Sequence, residues 1–252
     1  MTEVVLSQRV EGVRTITLNR PDRLNAMNAA LVEATAEAFA AANDDARTRA
    51  IVFTGAGRAF CAGADLYEQR QPAGEKEARA EIAAIQRVSR AMLFGDKIIV
   101  GAIRGWAVGG GFEWAIDCDL SIWGESARAF FPEVQWGLFA TGAVTTLLPN
   151  LVGLAKAKEM LLLGERYTAQ EIERLGVAWR VAADAEVLAE AGAVAARIAE
   201  LPPRAVGDMK RVLHRAAFAD IERALELETE ATVRGRLDPE TRARIATFGT
   251  SQ

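Results

Sequence analysis

The chain has 252 residues, of which 50% are hydrophobic and 25% charged, so its composition predicts a globular protein and argues against disorder. The formal net charge is only −4 and the charges are spread along the chain, so we expect no nucleic-acid partner. The sequence has neither a basic start followed by an apolar core nor an apolar run of about 18 residues. We therefore expect a cytoplasmic protein without a membrane-spanning segment, with its two cysteines as structural thiols.

Alternating apolar and polar residues at the start of the chain predict a β-hairpin. Its strands would be Val4–Val10 and Val13–Asn19, joined by a glycine turn at the edge of a sheet. Asn28 can cap a helix that continues through Ala42. The apolar run 49–54 that follows predicts a short buried strand.

The middle of the chain alternates helices with strands. A polar stretch over 67–74 has no periodicity and predicts a mobile loop. The following runs predict a helix over about 75–94, a strand over 97–103, a helix over 112–118 and short strands over 120–123 and 127–130. This alternation is typical of an α/β fold with parallel strand pairing.

From Thr141 onward the pattern is almost wholly helical. A capping box at Thr168–Glu171 begins a helix that ends near Gly176. The remaining patterns predict a strand over 177–181, a long helix over 184–200 and further helices over about 204–217, 220–235 and after 239. Pro202-Pro203 is the best candidate for a boundary, which divides the chain into a core over 1–201 and a helical region over 202–252.

Three consecutive glycines, Gly109–Gly111, lie within the stretch Gly105–Glu113. Their backbone can adopt positive φ and lie directly against a ligand. They would also lie at a helix N-terminus, where the first N–H groups have no intrahelical partner and favour an anionic oxygen. Glu113 would follow one turn into that helix. On this stretch alone, a plain glycine turn between a strand and a helix is an equally good interpretation.

A second stretch of small residues, Gly57–Leu66, follows the strand predicted over 49–54. It again places small residues where the pattern predicts the start of a helix. Two such turns can each direct one backbone N–H toward the same carbonyl oxygen, which would form an oxyanion hole.

Four blocks of the sequence together resemble the enoyl-CoA hydratase/isomerase (crotonase) superfamily: Asn19–Met27, Ala59–Leu66, Val108–Glu113 and Phe131–Glu133. The blocks occur in the family's order and the flanking segments also fit, so the resemblance covers nearly the whole chain. It implies an α/β fold with a crotonase-like spiral of β-β-α units over 1–201. It also implies that the helical region over 202–252 mediates oligomerisation, as a homotrimer or a dimer of trimers.

The resemblance also implies the roles of four catalytic residues. The backbone amides of Ala64 and Gly110 would polarise the carbonyl of an acyl-CoA thioester. Glu133 would transfer a proton at the α-carbon, and Glu113 would hold and activate water. Two carboxyl groups with different proton affinities can share acid and base roles. Without the four blocks, each glutamate would be interpreted as a solvated surface residue.

Residues near these positions are predicted to bind the substrate. Arg23 lies where the family often has a basic residue near the CoA phosphates, with an ordinary exposed arginine as the alternative. Asp65 is expected to fix its loop or to cap a helix after it. The complete predicted set is Arg23, Ala62, Gly63, Asp65, Leu66, Gly109, Trp136 and Phe139.

The sequence departs from the family pattern after the second glutamate. Many family hydratases have a glycine-rich stretch there, whereas this chain has the bulky Trp136 and Phe139. This region normally borders the acyl pocket, so the length and shape of the substrate stay open. An arginine-rich segment near the C-terminus could contact nucleotide phosphates or form a solvated helix face: Arg234, Arg236, Arg242 and Arg244.

The leading functional prediction is a hydratase that adds water across the double bond of a 2-enoyl-CoA thioester. The alternatives are an enoyl-CoA isomerase, another acyl-CoA-processing crotonase, or a catalytically silent structural or RNA-binding relative. We expect no cofactor, because coenzyme A is part of the substrate. We also expect no metal site, since His214 is the only histidine and the two cysteines lack ligand spacing.

Overall fold

The computed structural model describes residues 3–68, 71–218 and 220–248 of the chain. The strands in these ranges are β1 (Val5–Val10), β2 (Val13–Leu18), β3 (Ala50–Gly55), β4 (Ile98–Ile103), β5 (Trp106–Val108), β6 (Leu120–Gly124), β7 (Arg128–Phe130), β8 (Tyr167–Thr168) and β9 (Arg180–Ala182). The helices are α1 (Ala29–Asp44), α2 (Glu75–Leu93), α3 (Gly110–Ile116), α4 (Val144–Val152), α5 (Leu154–Leu163), α6 (Ala169–Arg174), α7 (Val187–Ala199), α8 (Pro203–Ala217), α9 (Ile221–Leu237) and α10 (Pro239–Ala246). Short 3-10 turns cover Pro21–Arg23 and Glu133–Trp136.

The strands form two sheets. The larger sheet has the order β1-β2-β3-β4-β6-β9, in which β1 and β2 are antiparallel and every later pairing is parallel. The smaller sheet has the order β5-β7-β8. Because β5 follows β4 directly and β7 follows β6, the chain alternates between the two sheets before it enters its C-terminal helices.

Helices cover both faces of the larger sheet, so its central strands are buried on both sides. On one face of β3, Ile51 and Phe53 point into a core shared with α1, where the rings of Phe53 and Phe39 meet edge to face at 5.0 Å. On the other face, Val52 packs in a second core with Val187 of α7. The near-continuous apolar sequence of β3 follows from this double burial.

The structure confirms the main sequence predictions and corrects several boundaries. The hairpin is present, with β1 at the sheet edge, and the chain is α/β with parallel pairing. Asn28 caps α1 by accepting a hydrogen bond from the Leu31 N–H at 3.0 Å. The loop predicted over 67–74 is irregular at 67–68 and 71–74, and its residues 69 and 70 lie outside the described residues.

None of the described helices is both long and apolar enough to cross a bilayer.

The strand predicted over 177–181 was placed too early. The N–H groups of Val177 and Ala178 both donate to the carbonyl of Ile172, so these residues close the end of α6 and β9 begins only at Arg180. The helical run after Thr141 is interrupted at Gly153, whose φ of +80° ends α4 before α5 begins.

The helices that follow Pro202 pack against the rest of the chain. The buried Lys210 of α8 forms an ion pair with Asp119 at 2.8 Å. Gln86 of α2 donates a hydrogen bond to the carbonyl of Leu225 in α9 at 2.8 Å. The second contact packs one face of α9 against α2. The division of the chain at 201/202 stays a prediction.

Asn25 holds the first sequence block against the second. It is fully buried, and its φ of +55° is a left-handed conformation that asparagine tolerates better than most residues. Its Nδ2 lies 2.8–3.1 Å from the carbonyl oxygens of Ala56, Ala59 and Phe60, and its Oδ1 accepts the Arg20 N–H at 2.8 Å. One side chain therefore satisfies several buried backbone groups of the loop that leads to Ala64.

We predict that Asn25→Ala lowers the free energy of unfolding by about 3 kcal/mol, because it leaves buried carbonyl groups without donors. Urea unfolding at a fixed protein concentration measures the change. Asn150→Ala is the matched control, since the side chain of the exposed Asn150 bonds to Thr146 of its own helix and to no other described residue. We expect a change of about 0.5 kcal/mol or less. Equal losses in the two variants would contradict this role of Asn25.

Candidate active site

The two glycine-containing blocks form a parallel bridge in the folded chain. The N–H of Cys61 donates to the carbonyl of Trp106, and the N–H of Val108 donates to the carbonyl of Cys61, both at 3.0 Å. The segments that follow the bridge, 62–64 and 109–110, line the same cavity of about 540 Å³. Two turns that are distant in the sequence are therefore neighbours around one site.

Glycines at this bridge permit contacts that a side chain would block. Gly63 has a φ of +80°, and a Cβ there would lie 2.6 Å from the carbonyl oxygen of Val108. Gly109 has a φ of +52°, and a Cβ there would lie 2.2 Å from Oε1 of Glu133. The second contact means that the missing side chain of Gly109 makes room for the carboxyl group of Glu133.

The backbone amides of Ala64 and Gly110 donate no hydrogen bond to any described residue, although both residues line the cavity. Gly110 is the first residue of α3, so its N–H has no intrahelical acceptor. Ala64 lies in a short bridge in which the N–H of Asp65 donates to Met27 at 2.9 Å. Successive N–H groups of an extended segment point in opposite directions, so the Ala64 N–H points away from Met27. Two backbone donors are thus available to a ligand.

Glu113 is 2% exposed and lies in the first turn of α3. Its Oε2 accepts hydrogen bonds from the N–H of Thr141 at 3.0 Å and from the Thr141 hydroxyl at 3.2 Å. Burial raises the pKa of Glu113 well above its ordinary value, the charges of Glu133 and Glu228 raise it further, and the Thr141 N–H opposes them. The carboxyl group lines the cavity.

Glu133 begins the 3-10 turn that follows β7 and lines the same cavity. The residue as a whole is partly exposed, but its Oε2 atom is buried and has no hydrogen-bond partner among the described residues. Burial raises the pKa of Glu133 from its ordinary 4.5 to about 7. The fold therefore brings together two carboxyl groups with raised pKa values and two backbone donors.

Comparisons with known proteins show which family the chain belongs to. The sequence model of the enoyl-CoA hydratase/isomerase family matches residues 8–236. The chain belongs to this family. Family members with similar sequences include the "Probable enoyl-CoA hydratase echA6" of Mycobacterium tuberculosis, 40% identical over 206 residues, which are 82% of this chain and 80% of that protein. The "Crotonyl-CoA hydratase" of Syntrophomonas wolfei is 33% identical over 230 residues, 91% of this chain and 88% of that one.

A solved structure of an enoyl-CoA hydratase/isomerase from Mycobacterium paratuberculosis superposes with a TM-score of 0.90 at 34% identity. The superposition covers 98% of this chain and 99% of that one. The predicted crotonase-like α/β fold with its C-terminal helical region is confirmed. The prediction that the chain is an enzyme of the enoyl-CoA hydratase/isomerase family is also confirmed.

The structure gathers most of the sequence-predicted site residues around the cavity. Its lining includes Ala62, Gly63, Ala64, Leu66, Gly109, Gly110, Glu113, Glu133, Trp136 and Phe139. Arg23 and Asp65 do not line it. Arg23 is exposed on the turn that follows β2. Asp65 forms an ion pair with Arg20 at 3.0 Å and accepts the N–H of Glu68 at 3.3 Å, so it fixes a turn rather than capping a helix.

Glu228 of α9 is a functional candidate that sequence reasoning missed. It is fully buried, accepts the N–H of Ala143 at 2.8 Å and accepts the N–H and hydroxyl of Thr145 at 2.9 and 2.6 Å. It thereby satisfies the first N–H groups of α4 and holds the loop from which Thr141 bonds to Glu113. A glutamate in a charged helical pattern gave no local signal for this role.

The sequence analysis also missed two charged residues of the cavity wall, Arg166 and Glu81, and did not place a third, Arg236, at the cavity. The Arg166 guanidinium lies 5.6 Å from the ring centre of Trp106 and 5.4 Å from that of Phe130, in cation–π geometry. Arg236 of α9 is buried and forms an ion pair with Glu81 of α2. The interpretation of Arg236 as part of a solvated helix face is therefore wrong, because α9 turns this residue toward the cavity.

The raised pKa of Glu133 predicts a specific pH dependence of stability. Between pH 4.5 and 7 Glu133 holds its proton more in the folded protein than in the unfolded chain, so its contribution to the free energy of unfolding falls as the pH rises. Glu133→Gln removes this contribution, and we expect its stability to fall less than that of the wild type across the window. Urea unfolding at both ends of the window measures the difference.

Glu125→Gln is the control for loss of a carboxylate, because Glu125 is exposed on the turn after β6. The assignment would be refuted if Glu133→Gln and the wild type lost the same stability between the two pH values.

Proposed function

We propose that the protein is an enoyl-CoA hydratase that adds water across the double bond of a 2-enoyl-CoA thioester. The observation that supports this most strongly is the single cavity lined by two available amides, Ala64 and Gly110, and two carboxyl groups, Glu113 and Glu133. The printed names of the similar proteins point to the same reaction.

The two amides would stabilise the charge that develops during the reaction. Adding a nucleophile to the β-carbon of an enoyl thioester moves negative charge onto the thioester oxygen. N–H donors already aimed at that oxygen need no reorganisation, and one such donor is typically worth about 3–4 kcal/mol of the barrier. This is the part of the site that any reaction through a thioester enolate would use.

The two carboxyl groups would divide the proton transfers, as a coupled pair that holds a proton at neutral pH. Thr141 donates two hydrogen bonds to Glu113, which favours its charged form. The buried Oε2 of Glu133 lacks such a donor among the described residues, so we assign the shared proton to Glu133. Glu113 then takes a proton from water, hydroxide adds to the β-carbon, and Glu133 gives its proton to the α-carbon.

The substrate partner in this proposal is an acyl-CoA thioester, and the location is the cytoplasm. We also propose a homotrimer or a dimer of trimers. The apolar side chains of Met209, Val212 and Leu213 on α8 are more than half exposed, and a second subunit would remove them from water. Light scattering on the purified protein measures this state.

We predict that the wild type hydrates crotonyl-CoA and that Glu113→Gln slows this hydration by about 10²- to 10⁴-fold, since the variant loses the base that activates water. Loss of the enoyl absorbance measures the rate, and Glu125→Gln is the control. Hydration at an unaltered rate in Glu113→Gln would remove the assigned role of Glu113.

An isomerisation assay and calorimetry separate the alternative functions. An isomerase needs only one base, here Glu133, so an isomerase would move the double bond of a 3-enoyl-CoA in both the wild type and Glu113→Gln without hydrating crotonyl-CoA. A catalytically silent relative would show no acyl-CoA binding in calorimetry.

A further inference from the structure

An ion pair lies in the wall of the cavity, away from the two amides. Arg236 of α9 has a side chain that is only 8% exposed, and its Nη2 lies 2.5 Å from Oε2 of Glu81 in α2. Both side chains line the cavity, beside the apolar Ile82 and Ile85. The hydration chemistry described above uses neither residue.

The position of this ion pair follows from contacts that begin at Glu113. Thr141 donates a hydrogen bond to Glu113. The hydroxyl of Thr232 donates to the carbonyl oxygen of the adjacent Ala140 at 3.4 Å. Thr232 is one helical turn before Arg236 on α9, so the two side chains lie on one face of that helix. The wall therefore runs from the proposed reaction centre to the ion pair.

This end of the cavity suits the acyl chain rather than the CoA arm. The CoA arm ends in a large, charged nucleotide that must reach solvent. The wall near Arg236 is largely enclosed instead, because Arg236 and Ile82 of α2 are both buried. A thioester held by Ala64 and Gly110 would thus direct its acyl tip toward Glu81 and Arg236.

An ion pair beside an acyl chain constrains the chemistry of that chain, and here the Arg236 side chain is 8% exposed and that of Glu81 is 39% exposed. An alkyl tip would strip water from both charges and offer nothing in return, which is costly for groups in an apolar environment. A carboxylate at the tip would be repelled by the carboxylate of Glu81, and an ammonium at the tip would be repelled by the guanidinium of Arg236. A neutral hydroxyl can accept from Arg236 and donate to Glu81 at the same time.

We propose that the acyl chain of the substrate carries a neutral hydrogen-bonding group at its distal end, such as a hydroxyl, and that Glu81 and Arg236 select for it. This inference rests on the proposed acyl-CoA site and names the substrate class of that site. Sites that hydrogen-bond a substrate hydroxyl discriminate strongly against analogues that lack it. Such an analogue removes water from the polar groups of the site and returns no hydrogen bond to them.

Calorimetry with saturated acyl-CoAs tests this proposal without depending on hydration. Pairs of ligands with a terminal hydroxyl or a terminal methyl group are compared over a series of chain lengths. At the chain length that reaches Arg236, we expect the hydroxylated ligand to bind at least about tenfold more tightly than the methyl ligand. A terminal carboxylate should bind more weakly than the hydroxyl.

The double variant Glu81→Leu/Arg236→Leu removes both charges together, so neither is left buried without its partner. We expect it to lose the preference for the hydroxylated ligand. The matched control is Arg79→Leu/Glu230→Leu, which removes an exposed ion pair that joins the same two helices outside the cavity. The control should keep the preference of the wild type.

Wild-type binding that favours the methyl ligand, or does not distinguish the two at any length, would overturn the inference even if the double variant fails to fold. A clear preference that survives in a folded double variant would overturn it as well. Selective binding of the hydroxylated ligand by a protein that does not hydrate any enoyl-CoA would contradict the proposed reaction and support the assigned substrate class.

Discussion

The structure of the site depends on one close contact between two backbone segments, the parallel bridge that joins Cys61 to Ala107. The bridge brings Ala64 and Gly110 to the wall of one cavity. It requires small residues on both sides, because a Cβ on Gly63 or Gly111 would overlap the facing backbone. Backbone donors fixed in this way are rigid, which is the property that electrostatic stabilisation of a developing charge needs.

The second determinant is a group of buried acids completed by the C-terminal helices. Glu113 is enclosed by the loop at Thr141, and that loop is held by Glu228 of α9. The same helix places Arg236 beside Glu81 at the cavity wall. The region after Pro202 thus contributes to the site of its own chain, in addition to any role between subunits. Burial of these acids raises the pKa values of Glu113 and Glu133.

Patterns within single segments predicted much of the fold and the centre of the site. The alternation of apolar and polar residues predicted the hairpin, and apolar runs predicted β3 and β4. The glycine blocks indicated where backbone amides could contact a ligand. The strands β5 and β8 are too short to produce a periodic signal. The roles of Glu228 and Arg236 could not be predicted, because each depends on which face of α9 packs against α2 and the loop before α4. Charged residues in a helix indicate a solvated face unless tertiary packing decides otherwise.

The central claim is that the amides of Ala64 and Gly110 polarise one thioester oxygen, and the ¹³C chemical shift of a bound thioester carbonyl tests it most directly. Butyryl-CoA labelled at this carbon binds without reacting and would be measured with the wild type, Gly110→Ala and Gly110→Pro. Both substitutions add a Cβ next to the flexible side chain of Met27, but only proline removes the N–H, at a helix position that accepts proline. The account predicts a downfield shift on binding that Gly110→Ala keeps and Gly110→Pro reduces. A bound carbonyl with the shift of the free ligand, or the same shift in all three proteins, would contradict it.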